Sequence, residues 1–293
     1  MSKIKIYLVI AALATLASCK KEDDLGDVST IPGLGGDTWA TTPIDRWIRD
    51  TLTTPYNVSA KYKWDQGELE FDKSLTPPDE SKIIPVLSAI KKVWIDTYVA
   101  EAGKTFMQKY IPKFFVLVGS ASWNLDGTIT LGTAEGGRRI VLYILNDFRV
   151  KGMTGYIPGD STNIKMMFHT IEHEFGHILH QTVLYPQDFR RISVGDYTSN
   201  WNNTTDEEAN EKGFVTAYAQ SAPDEDFVEM ISMMLSEGKG GYEALVNSIT
   251  STTAKNRLRQ KEAIVVTYFK DVWGINFYSL QTRTRNAIDA LIK

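Results

Sequence analysis

The chain holds four histidines in 293 residues, and all of them, His169, His173, His177 and His180, fall within one twelve-residue stretch. At about 100° per residue, a helix through that stretch keeps the four within about 80° of arc. The opposite side carries Ile164, Met167, Phe168, Ile171, Phe175, Ile178 and Leu179. A helix of this kind buries its apolar side, which leaves a histidine stripe at the margin of the core.

His173 and His177 stand one turn apart, so both imidazoles can reach one cation at about 2.0–2.1 Å. Glu174 sits about 100° round from His173, beside such a cation rather than on it. Two ligands plus a carboxylate that takes a proton from an attacking water are the mechanical content of His-Glu-x-x-His. The pattern therefore predicts one zinc ion, with Glu174 as general base in a hydrolysis. Five residues can match by chance. The apolar opposite face, the small Gly176 and the strands that precede this helix argue against accident.

The third ligand is less direct. His180 is nearly in line with His173, but seven residues separate them, a rise of roughly 10 Å. It is expected on the cleft wall or against a ligand. The metzincin pattern is excluded, because it needs Gly and His where this chain has His180 and Val183. A better source is Ser221-Ala222-Pro223-Asp224, which reads as a helix start with Ser221 as N-cap. The helix continues through Glu225-Asp226-Phe227-Val228-Glu229, with Phe227, Val228, Ile231, Met234 and Leu235 on its apolar side. Packed on the histidine helix, it could aim Glu225 at the metal and leave Glu229 to hydrogen-bond a ligand histidine. Asp226 or Glu229 is the fallback ligand, and two solvated surface acids are the plain alternative.

His-Glu-Phe-Gly-His, followed about 48 residues later by Glu-Asp-Phe-Val-Glu, resembles the gluzincin peptidases, particularly the lethal-factor-like branch. The resemblance implies Glu225 as the ligand that completes the zinc site and Tyr218, seven residues earlier, as a transition-state donor. Tyr197 is the weaker candidate for that donor. Val228 stands where Ala is commoner in the family. A zincin-like α+β fold follows, with a small mixed sheet packed on the His-Glu-x-x-His helix and a mainly helical C-terminal half. The expected strands are 114–118, 128–131 and 139–145, after a helix over 81–102. Strand 139–145 is expected at an edge, where an extended peptide could pair with it. The loops 152–160 and 187–210 are both candidates for the cleft.

The N-terminus adds a location. Lys3 and Lys5 precede an apolar run from Ile6 to Ala17 that ends in Leu16-Ala17-Ser18-Cys19. About 12 residues are too few to span a bilayer, but the pattern fits a secretory signal. Leu-Ala-Ser-Cys resembles the bacterial lipobox, in which the cysteine is acylated. The expected organisation is a signal peptide at 1–18, a lipidated tether at 19–42 and a peptidase domain at 43–293. The run Lys20–Asp24 is similar to the surface-export signal of Bacteroidetes-type lipoproteins. Lipobox and metal motif together resemble the zinc metallohydrolase lipoproteins of Bacteroidetes, whose genes often adjoin TonB-dependent nutrient-import systems. That implies an outer-membrane lipoprotein, a peptide or protein substrate and such an import system as partner. A formal charge of −4 without a basic patch gives no reason to expect nucleic acid. The rival reading is a surface lipoprotein that binds nutrients or partners through a structural or degenerate metal site. Structural zinc usually takes four protein ligands, often Cys, and Cys19 is the one cysteine here.

Overall fold

All the described strands fall before residue 150, interleaved with helices, and the chain from residue 160 onward is mainly helical. The computed structural model describes residues 41–293 apart from 71, 125–128, 131 and 136–138. The expected signal peptide 1–18, Cys19 and nearly all of the expected tether lie outside the described residues. Pro43–Lys293 form one unit, and no described helix is long and apolar enough to cross a membrane.

Helix α1 (Pro43–Ile48) leads to a short strand β1 (Ser59–Lys61) that lies outside the three expected strands. The helix after Pro77-Pro78 runs as α2 (Glu80–Ile90), a π-helical turn (Lys91–Ile95) and α3 (Asp96–Ala102). Thr97 marks the change of pitch, its hydroxyl donating to the carbonyls of Val93 and Trp94 at 2.8 Å. Leu87, Ile90, Val93, Trp94 and Tyr98 are buried along this rod. Helix α4 (Lys104–Tyr110) returns the chain to β2 (Phe114–Leu117).

A two-stranded hairpin, β3 (Ser122–Trp123) and β4 (Ile129–Thr130), precedes β5 (Gly132–Glu135) and β6 (Arg139–Leu142). The main sheet has the order β1-β2-β6-β5, with the first three strands parallel and β5 antiparallel to β6. Strand 139–142 is thus interior, not the expected edge. Its apolar Ile140, Val141 and Leu142 are all buried, as an inner strand requires. The edge is β5. Alternate residues divide the sheet's faces: Phe115, Leu117, Ile140 and Leu142 join the main core, while Val116, Val118, Val141 and Tyr143 close a smaller one with Leu69.

The remainder is helical: α5 (Asp160–Thr182), α6 (Gln187–Ile192), α7 (Asp206–Asn210), α8 (Pro223–Ser248), α9 (Thr252–Trp273) and α10 (Phe277–Ile292). The architecture is α+β, as expected. Helix α5 buries Ile164, Phe168, Ile171, Phe175 and Leu179 completely. Strand β5 passes so close that a Cβ at Gly132 would stand 2.5 Å from Thr170 Cγ2. Helix α8 is buried on all sides from Asp226 to Ser236. The Ser221 cap does not form: Ser221 has helical dihedrals at the end of a 3-10 turn, and extended Ala222 starts the helix without a side-chain cap. Three acids in the first turn, Asp224, Glu225 and Asp226, face the helix N-terminus in its place.

Candidate metal centre

Two helices build the site, and Gly176 sets their separation. A Cβ there would lie 3.0 Å from Val228 Cγ1, so α8 approaches α5 more closely than an alanine at 176 would allow without movement. Behind the site, Phe175 sits among Trp94, Tyr98 and Phe106 at ring distances of 5.1, 5.0 and 6.2 Å. These contacts fix the rotation of α5 about its axis.

On the other face, Nε2 of His173 and Nε2 of His177 each lie 3.2 Å from Glu225 Oε2. Ligand atoms at 2.0–2.1 Å around a tetrahedral ion are roughly 3.3 Å from one another. The three donors therefore fit one zinc, two neutral nitrogens and one carboxylate oxygen, with a fourth position left to something outside this set. Glu174 is partly buried, and its carboxyl is raised from the usual range chiefly by burial, with the His173 and His177 rings opposing.

The far side of each imidazole is also held. His173 Nδ1 donates to Glu229 Oε1 at 2.7 Å, so that Nε2, once it gives up its proton to an incoming cation, presents its lone pair beside Glu225. Glu229 is buried and takes two further contacts, from His169 Nε2 at 2.9 Å and from the Thr216 hydroxyl at 2.7 Å. His177 Nδ1 meets His180 Nε2 at 3.0 Å. His180 is 3 % exposed, so it packs behind a histidine and does not line an open cleft. The two rings thus have different supports, a carboxylate behind one and an imidazole behind the other.

Charge follows this geometry. Burial alone would lower His173, but Glu225 and Glu229 raise it to about 10. Burial alone would raise Glu225, yet the two Nε2 atoms hold it well below the usual carboxylate range. The pocket is built to attract positive charge.

Tyr218 lies in a 3-10 turn (Tyr218–Gln220), its ring 5.8 Å from His173 and edge-on to Trp201 at 4.9 Å. Burial and the neighbouring Glu225 raise its phenol. Tyr197 and Asp226 are engaged elsewhere: the Tyr197 hydroxyl donates to Asp226 Oδ2 at 2.9 Å, and the buried Lys261 ammonium lies 2.7 Å from the same oxygen. Neither faces the three donor atoms. Of the two candidate loops, 187–210 reaches the site through Trp201. The 152–160 loop packs on the C-terminal helix, Tyr156 donating to the Ile292 carbonyl at 2.9 Å. Sequence reasoning missed Thr216 and His169 in this network. One turn before His173, His169 could have been read as a partner for Glu229; nothing local marks Thr216.

A family profile described as "Putative zinc-binding metallo-peptidase" matches residues 37–278. A solved structure described as a "putative zinc-binding metallo-peptidase" from Bacteroides caccae superposes with a TM-score of 0.70 at 33% sequence identity, covering 85% of this chain and 93% of the other. No curated protein matches the sequence.

Proposed function

This chain belongs to that family of zinc-binding metallo-peptidases, and from that premise we propose a zinc-dependent peptidase with His173, His177 and Glu225 as ligands and Glu174 as general base. The observation that carries the proposal is the convergence of the three donor atoms within 4.8 Å of one another, with Glu174 alongside. Zinc, when bound, would supply a Lewis acid that polarises a carbonyl and acidifies water.

The protein's residues supply the rest. Glu174 accepts the proton of the attacking water, and its partial burial keeps it more basic than a surface glutamate. Tyr218 offers a hydroxyl to the developing oxyanion. Glu229 and His180 hold the two imidazoles by their Nδ1 atoms, so that both Nε2 atoms stay directed at the ion. An extended peptide would add to the outer edge of β5, the last strand of the sheet among the described residues, antiparallel or parallel, beside α5. We further propose that acylated Cys19 tethers this domain to the outer membrane, where a TonB-dependent import system could take up its products. The lipobox-like sequence supports that location.

The test is a Glu174→Gln protein assayed for zinc content and for cleavage of mixed peptides, with and without chelator. The expected variant keeps one zinc and loses at least about a hundredfold in rate. A wild-type protein that holds one zinc yet cleaves no peptide pool would sink the peptidase reading and favour a binding lipoprotein.

A further inference from the structure

Helix α9 meets the segment that leads into the site at both of its ends. Arg257 Nη1 donates to Asp196 Oδ2 at 2.7 Å and to the Lys212 carbonyl at 2.8 Å. One turn later, Lys261 Nζ donates to the Gly213 carbonyl at 2.7 Å and pairs with Asp226 at the start of α8. Tyr197 closes the loop by donating to the same carboxylate. Gly213 has φ +93°, and a Cβ there would lie 2.8 Å from Arg257 Cβ, so the backbone is pressed against α9. The Lys261 ammonium stands 4.1 Å over the Phe214 ring. Lys261 and Asp226 are both 0 % exposed.

Burying two charges completely is costly, and apolar side chains of similar size can often fill such a place without loss of stability. The position of the pair suggests what it secures. Asp226 directly follows Glu225. Three residues beyond Gly213, Thr216 donates to Glu229, and two residues later Tyr218 packs on His173. Glu225, Glu229, Thr216 and Tyr218 therefore each lie within five residues of Asp226 or Gly213, the two residues that Lys261 holds.

We propose that Lys261 and Asp226 are positioning residues whose buried pair, closed by Tyr197, sets the register of segment 196–213 against α8 and so places Glu225 and Thr216 on the metal centre. The inference rests on the metal reading above. It predicts that the pair serves zinc binding more than it serves the fold.

Lys261→Met alone strands a buried carboxylate and costs the fold, so the deciding variants are Asp226→Leu with Lys261→Met, and Tyr197→Phe. Both would be made in the full chain, with zinc affinity measured by chelator competition and melting followed alongside. The double variant is expected to melt within a few degrees of wild type while binding zinc at least about tenfold more weakly. Tyr197→Phe, which removes one hydroxyl, is expected to shift affinity in the same direction by less. A folded double variant with wild-type affinity would overturn the proposal. If the double variant does not fold, unchanged affinity in Tyr197→Phe overturns it. A wild-type protein that takes up no zinc refutes the metal centre itself, a result distinct from either.

Discussion

His173 is where a proton and a zinc ion compete. With its pKa raised to about 10 by Glu225 and Glu229 against the opposing effect of burial, the ring is protonated at neutral pH whenever the centre lacks a cation. Binding zinc must displace that proton, so apparent affinity should rise with pH, by about tenfold per unit between pH 6 and 8. Glu229→Gln removes one of the charges that raise the ring and sets an amide against the Thr216 hydroxyl. It should weaken zinc binding about 10- to 100-fold and flatten the pH slope. Glu225→Ala removes a ligand and should cost more, and His180→Ala, which removes a neutral neighbour of His177, should cost less. Chelator competition at pH 6, 7 and 8 orders the three. A Glu229→Gln protein with wild-type affinity and slope would remove that carboxylate from the account.

At the scale of elements, the site depends on how closely two helices approach. The histidine stripe and its apolar back were legible because both are local: a periodicity of 3.6 places them whatever else the chain does. The meeting of α5 with α8 was legible in outline, from Glu225 and Glu229 flanking an apolar stripe. The start of α8 was misread, since Ser221 belongs to the preceding 3-10 turn and its dihedrals cannot be inferred from a Ser-x-Pro-Asp pattern. Gly176 carries the approach, and Gly176→Ala tests it. The added methyl gains roughly 1 kcal/mol of helix propensity and meets Val228 at 3.0 Å, an overpacking that costs about 1–3 kcal/mol. Stability should therefore fall by no more than about 2 kcal/mol. Moving α8 by a few tenths of an ångström takes Glu225 away from both histidines, and zinc affinity should fall. Equal zinc binding in Gly176→Ala and wild type would show that the approach does not place Glu225.

At the scale of the whole molecule, what escaped the sequence is non-local. Strand β1 is three residues long and pairs with β2 some 55 residues onward, and the edge position of β5 depends on a strand order that no single segment encodes. The same holds for a buried carboxyl on α5. Glu172 is 0 % exposed behind the histidine stripe, where Tyr98, 74 residues earlier, donates to its Oε2 at 2.8 Å. Burial raises its pKa to about 8, with the Tyr98 hydrogen bond opposing. An unfolded chain ionises the same group near 4.5. Its contribution to stability is thus complete below about pH 4.5 and is lost as pH rises to about 8, because over that interval the unfolded chain releases a proton that the folded core retains. The loss is on the order of 4 kcal/mol, reduced by any local opening that admits water. Glu172→Gln keeps the shape and can still accept from Tyr98, but it does not titrate. Melting of both proteins across pH 5 to 9 isolates this one group from every other acid and base in the chain. The wild type should lose ground against the variant from pH 5 to about 8 and level off above it, and a difference in Tm that stays flat from pH 5 to 9 would mean that Glu172 is already ionised in the folded core.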